Sequence, residues 1–210
     1  MNFISNKAKL LVGLFFLLFD LNLNMGTINF NMFPTFIGFF LISLAIQPIE
    51  KKSSYFVSLR KYSFLMSYVF VVIYLINMFG ALDALYGMAV KGHTDDTAYM
   101  SRMAMIFNSI QLVLNAALIF MVVYAMYLLV NGYKEITEKQ GMDIERYGKQ
   151  FFNTFQIFAV IKILYIAAYA MLIYIPNTLE IIMAAFSAAS MIASVVLIVQ
   201  ARKSYTFISE

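Results

Sequence analysis

From Phe152 to Ile175 the chain reads FNTFQIFAVIKILYIAAYAMLIYI, an apolar run broken by one lysine near its centre. About 20 apolar residues in helical form cross the ~30 Å hydrocarbon core of a bilayer, so this run is long enough to span it. Lys162 lies ten residues beyond Phe152, and at about 1.5 Å per residue it falls roughly 15 Å in, near the midplane. A charge there faces protein or water and has a partner, because hydrocarbon solvates it poorly. Any fold for this chain must accommodate that segment and its cation.

The rest of the composition agrees. Of 210 residues 62% are hydrophobic and only 12% are charged, about half the ~25% of soluble domains. That leaves no room for a separate globular catalytic domain, so the sequence describes a single membrane domain over residues 1–210. The expected fold is all-α, a polytopic membrane bundle of six transmembrane helices at about 10–23, 33–49, 63–82, 104–130, 152–175 and 180–200. The start resembles a signal peptide, with Lys7 and Lys9 before an apolar stretch. Asp20-Leu-Asn-Leu-Asn follows in place of a small-residue cleavage site, so an uncleaved first helix is expected. The first two segments are short, and either cross as two snorkelled helices or form a re-entrant hairpin. Six crossings are favoured because the 24–32 loop carries no positive charge that would retain it inside.

Lys and Arg are distributed unevenly. Lys7, Lys9, Lys51, Lys52, Arg60, Lys61, Lys134, Lys139, Arg146, Lys149, Arg202 and Lys203 fall before the first segment or in linkers 50–62, 131–151 and 201–210, whereas the alternate linkers hold only Lys91 and Arg102. The positive-inside rule then places both termini in the cytoplasm. The net charge of +4 is explained by these flanks, and no nucleic-acid partner is expected. The absence of Cys removes disulfides and thiolate chemistry, and a single His excludes bis-histidine haem and two-His zinc motifs.

The first hairpin, Phe19-Asp20 followed by Met32-Phe-Pro-Thr-Phe-Ile-Gly-Phe-Phe-Leu41, resembles a pattern in small integral membrane proteins of low-GC Gram-positive bacteria. In that pattern an Asp late in the first helix precedes roughly Leu-Pro-Asp-Phe-Ile-Gly-Tyr at the start of the second; Thr35 and Phe39 stand here at the Asp and Tyr positions. The resemblance covers about 30 residues and implies a bacterial cytoplasmic membrane. It implies no activity. In size, helix number and orientation the chain is also similar to the substrate-capture subunits of energy-coupling-factor transporters, a topological likeness without a ligand motif.

Several constellations carry possible chemistry. Asp20 and Lys162 are the only charges deep in expected spans, and similar depths would let them form an ion relay, a ligand pair or a structural ion pair. Phe155, Phe158, Tyr165 and Tyr169 share a helix face with Lys162, as a cation–π pocket or as core packing would require. Asn108, Gln111 and Asn115 recur at i, i+3 and i+7, a stripe of amides that lines a solute path or bonds a neighbouring helix. A weaker stripe joins Ser67, Tyr74 and Asn77. On the sixth segment Ala185/Ala189 and Ser190/Ser194 are small residues four apart, suited to close packing within the chain or against another subunit.

His93, Asp95 and Asp96, with Asp83 and Glu180, are weak candidates for a divalent cation, since no EF-hand or HExxH spacing supports them; the expectation is no metal and no cofactor. The linker 131–151 is an interfacial helix, a docking surface or a helix-hairpin linker. No phosphate loop, nucleophile elbow or paired metal motif is present, so an enzyme is not expected. The expected role is a small-solute transporter, or the substrate-binding membrane subunit of one, with Asp20, Lys162 and the amides at its polar centre. The rival is an assembly, immunity or signalling partner, using the sixth segment and linker 131–151 as contact surfaces.

Overall fold

A computed structural model describes residues 5–19, 22–25, 28–31, 34–93, 95–140, 142–172 and 180–209. Its helices are α1 (Asn6–Leu18), α2 (Thr35–Ile46), α3 (Ser54–Met78), α4 (Ala81–Val90), α5 (Thr97–Gln140), α6 (Met142–Leu172) and α7 (Glu180–Ser209), with a 3-10 helix over Gln47–Lys52. The fold is all-α apart from one two-stranded hairpin, β1 (Asn22–Met25) and β2 (Ile28–Asn31). Among the described residues, four helices are long and apolar enough to cross a membrane: Ser54–Met78, Thr97–Lys139, Glu145–Met171 and Ile181–Thr206.

Six helices form a ring in chain order. Each of α1, α2, α3, α5, α6 and α7 packs on its neighbours in sequence, and α7 returns to α1 to close the circle; α4 is an appendage on α5. The expected boundaries change in several places. The first segment stops being helical at Leu18, because Asn22-Leu-Asn-Met and Ile28-Asn-Phe-Asn alternate polar and apolar residues with the period of a strand. Their register pairs Asn22 with Asn31, Leu23 with Phe30, Asn24 with Asn29 and Met25 with Ile28, so amide pairs alternate with apolar pairs along the ladder. With 13 and 12 residues, α1 and α2 rise about 20 and 18 Å, less than the ~30 Å hydrocarbon thickness.

A helix that the sequence reading did not anticipate, α4, begins the linker between the third and fourth expected segments. Gly80, at φ 58°, and Gly92, at φ 88°, adopt left-handed backbone and set α4 off from α3 and α5. Residues 131–140 and 142–151 of the next basic linker are helical too. They form the ends of α5 and α6, and α5, with 44 residues, rises about 66 Å, far more than a bilayer requires.

The core concentrates at the end where the basic linkers meet. Phe56 of α3 lies over Gly132 of α5, where any Cβ would collide with the ring. Phe56 meets Tyr133 edge-on at 5.3 Å, and Tyr133 meets Phe151 of α6 at 5.7 Å. All three rings are fully buried. Polar contacts lock the same end: Ser53 Oγ donates to Glu135 Oε2 at 2.5 Å, Arg60 pairs with Glu50 at 2.6 Å, and Lys7 Nζ donates to Thr206 Oγ1 at 2.6 Å. An aromatic series, Phe39, Tyr62, Tyr124, Tyr127 and Phe155, with neighbouring centroids 5.0 to 6.3 Å apart, then runs from α2 through α3 and α5 to α6.

The tightest helix crossing is α1 on α2. A Cβ on Gly38 would lie 2.8 Å from both Gly13 O and Leu17 N, and one on Gly13 would lie 3.0 Å from Gly38 O. The contacts run in opposite senses along the two helices, so the pair is antiparallel and continues the strand hairpin. Leu10 and Leu14 of α1 interlock with Phe39, Ile42 and Ile46 of α2 in the surrounding core. Gly38→Ala places a methyl group on backbone that cannot yield, and is expected to destabilise by about 1–3 kcal/mol. Gly87→Ala, in open space within α4, should instead be neutral or stabilising by up to ~1 kcal/mol. Thermal unfolding of both variants in detergent checks this; equal stability of Gly38→Ala and the parent would contradict the crossing.

Candidate functional site

The amide stripe is exposed along its whole length. Asn108, Gln111 and Asn115 all lie on the outside of α5, and none has a hydrogen-bond partner among the described residues. Asn115 sits 11 residues beyond Ala104, where the apolar run of α5 begins, so it is about 16 Å into that run. Burying an amide in lipid without a partner is costly, so these side chains require something to bond.

At the upper part of the stripe that something is a cleft. Leu82, Asp83 and Tyr86 of α4 and Ala104, Phe107, Asn108 and Gln111 of α5 line a cavity of about 270 Å³. α4 is held over α5 by the Tyr86 and Phe107 rings, 5.3 Å apart and inclined at 74°. Tyr99 O–H adds a hydrogen bond to Ala89 O at 3.2 Å. The Asp83 carboxylate is exposed at this cleft, and Asn115 continues the stripe one turn below it.

Lys162 is on a different wall. Its ammonium lies 5.5 Å from the centroid of Phe158, one turn back on α6, a cation–π placement for a half-buried side chain. Phe158 is fully buried and Phe155 nearly so, while Tyr165 and Tyr169 are half-buried. The expected cation and aromatics therefore do share a face. The amide stripe lies on α5, and Lys162 with its aromatics on α6. Asp20 lies outside the described residues, and its relation to Lys162 with it.

On α7 the small residues divide. Ser190 and Ser194 are buried, and Ser194 Oγ donates to Ser190 O at 2.8 Å; together with Ala193, Leu197 and Ala201 they make the face that enters the ring. Ala189 is half-buried and Ala185 exposed. Of the lesser stripe, Ser67 is buried and donates to Phe64 O, Tyr74 packs on Phe36 at 5.5 Å, and Asn77 is exposed.

The acidic loop has a structural occupation. Asp96 immediately precedes α5 and its Oδ1 accepts from Tyr99 N at 3.0 Å, capping the helix. His93 packs its ring on Tyr99 at 4.2 Å. Asp95 is exposed, and among the described residues no three His, Asp or Glu side chains gather to hold a metal ion. Sequence reasoning missed Tyr133, whose fully buried hydroxyl has no partner among the described residues; a lone Tyr inside a charged linker gave no periodic signal of burial. It also missed the role of Tyr86 and Phe107, which only the fold of α4 onto α5 brings together.

The chain matches no protein-family model, no curated protein and no solved structure. Function must therefore be argued from the geometry alone.

Asp96→Ala removes the cap and is expected to lower stability by about 1 kcal/mol. The melting temperature of parent and variant should respond equally, or not at all, to added Mn²⁺ or Zn²⁺ and to chelator. A metal-induced stabilisation confined to the parent would return Asp96 to a ligand role.

Proposed function

We propose that this chain is a solute-capture protein of a bacterial cytoplasmic membrane, either a small transporter or the substrate-binding membrane subunit of a larger one, with both termini in the cytoplasm. The observation that carries this reading is the position of the amide stripe: it enters a cleft at the end of the bundle opposite the packed, basic end, and its amides have no internal partner. A solute approaching from outside meets open amides and a carboxylate, while the aromatic packing around Phe56, Tyr133 and Phe151 seals the cytoplasmic end. Lys162 and Phe158 form a second polar point at greater depth on α6.

The proposed topology keeps six crossings. Four are the long helices, and two are α1 and α2 completed by their strands. The chain enters and leaves this hairpin at the basic end, where Lys7 meets Thr206 and Glu50 meets Arg60. Four strand residues add about 13 Å to the ~20 Å of α1, enough to reach the far face. A second reading, a partner protein for assembly, immunity or signalling, draws support from the exposure of Ala184, Ala185 and Ala188 on α7, a small-residue surface open to another helix.

Extraction of the tagged chain in mild detergent, with mass spectrometry of co-eluting proteins and small molecules, separates the two. The capture reading expects a stoichiometric solute or an ATPase module, with the solute lost in Gln111→Leu and Lys162→Met. A non-ATPase partner without solute, released by Ala185→Leu, would replace it. Because the chain has no Cys, Asn29→Cys gives a clean topology probe: labelling by an impermeant maleimide in intact cells is expected, and labelling only after lysis would make the hairpin re-entrant.

A further inference from the structure

Resting on the capture reading, we propose that the α4–α5 cleft binds a small organic ammonium ion, of the quaternary or trimethylammonium kind. The chemistry of the walls selects it. Asp83 supplies a negative charge, no ion pair among the described residues neutralises it, and no Lys or Arg lines the cleft. An anion would be repelled there. Tyr86 and Phe107 meet at 74° and so make a two-walled aromatic corner, whose electron-rich surfaces attract a diffuse cation that is weakly hydrated. The carbonyl oxygens of Asn108 and Gln111 add neutral acceptors on the remaining side.

Shape narrows the class further. The cavity, about 270 Å³, lies just below the ~300–1,000 Å³ of ordinary small-molecule sites, so it takes a headgroup or a small solute and no more. A pyranose, the other ligand that joins carboxylate, amide and aromatic groups, stacks on a flat ring platform; two rings near a right angle offer none. A compact metal ion would need several oxygen ligands converging within about 2.6 Å, and Asp83 is the only carboxylate in the lining. The segment 80–103 as a whole is also acidic, with Asp83, Asp95 and Asp96 against Lys91 and Arg102, which favours approach of cations over anions.

Calorimetric titration of the purified full chain in phosphatidylglycerol nanodiscs tests this with three probes: choline, its neutral isostere 3,3-dimethylbutan-1-ol, and glucose. Choline is expected to bind about tenfold or more tightly than the isostere, the combined effect of a carboxylate and an aromatic corner. Asp83→Asn should remove most of that preference. Asp83 is exposed, so the variant should fold, and circular dichroism verifies it; Tyr86→Leu, expected to weaken choline at least several-fold, is the independent second variant. Repetition in phosphatidylcholine nanodiscs distinguishes the source of the ammonium group, because a lipid headgroup in the cleft would suppress choline binding there and not in phosphatidylglycerol. Equal binding of choline and isostere overturns the cation assignment and leaves solute capture standing. Glucose binding in place of choline does the same. Absence of choline binding to the folded parent in phosphatidylglycerol also overturns the assignment, while the capture reading fails separately, when the detergent-extracted protein carries no solute.

Discussion

Inside a bilayer, lipid tails are as apolar as leucine, so helices gain little by hiding apolar faces from them and must associate through close steric fit. This chain makes close approaches through glycines, at the α1–α2 crossing and again at the basic end beyond the expected apolar spans. Gly13 and Gly38 bring α1 and α2 into backbone contact, Gly132 provides the floor on which Phe56 rests, and a Cβ on Gly148 of α6 would collide with Thr137 of α5. Three of the ring's interfaces thus depend on the absence of a side chain. The ring closes because each of these approaches is close enough for the large side chains beside it to interlock.

The fit is uneven along the bundle. At the basic end the rings of Phe56, Tyr133 and Phe151 are fully buried, and Ser53, Glu135 and Lys139 are tied by hydrogen bonds across α3 and α5. Toward the opposite end, large apolar residues such as Phe79, Met88, Val113 and Ile181 are exposed. Those residues suit a lipid environment, so their exposure is no defect of packing. The combination is a bundle sealed at one end and open at the other. The open end can adapt without disturbing the sealed one, since local opening is governed by local contact density.

Polar groups at apolar depth are satisfied in different ways. Ser67, Ser109, Thr154 and Ser194 bond carbonyls of the preceding turn in their own helices, which satisfies them without any neighbour. Tyr62 reaches across to Met121 O at 3.0 Å and so joins α3 to α5. Lys162 places its ammonium near the Phe158 ring. Asn108, Gln111 and Asn115 use none of these routes among the described residues, whereas Asn131 of the same helix donates to Tyr127 O at 2.8 Å. That difference, more than their identity as Asn and Gln, is what the capture proposal rests on.

The sequence by itself determined the apolar helices, the gathering of basic residues in alternate linkers, the Lys162 aromatic face and the amide stripe. Each depends on residue spacing along one segment, and helical period 3.6 converts spacing into position without knowledge of any partner. It also holds, within the polar stretch after the first segment, the period-two alternation of Asn22–Met25 and Ile28–Asn31. Tertiary structure alone decided that α7 packs back on α1, that Gly38 is a crossing point, that Tyr133 is buried despite its charged neighbours, and that Ala185 is exposed while Ser194 is enclosed. It likewise decided that Asp83 and Tyr86 of α4 face Asn108 and Gln111 of α5. The physical reason is common to all of these: burial and contact between helices depend on crossing geometry and on the left-handed turns at Gly80 and Gly92, and no periodicity within a single helix encodes where another helix will lie.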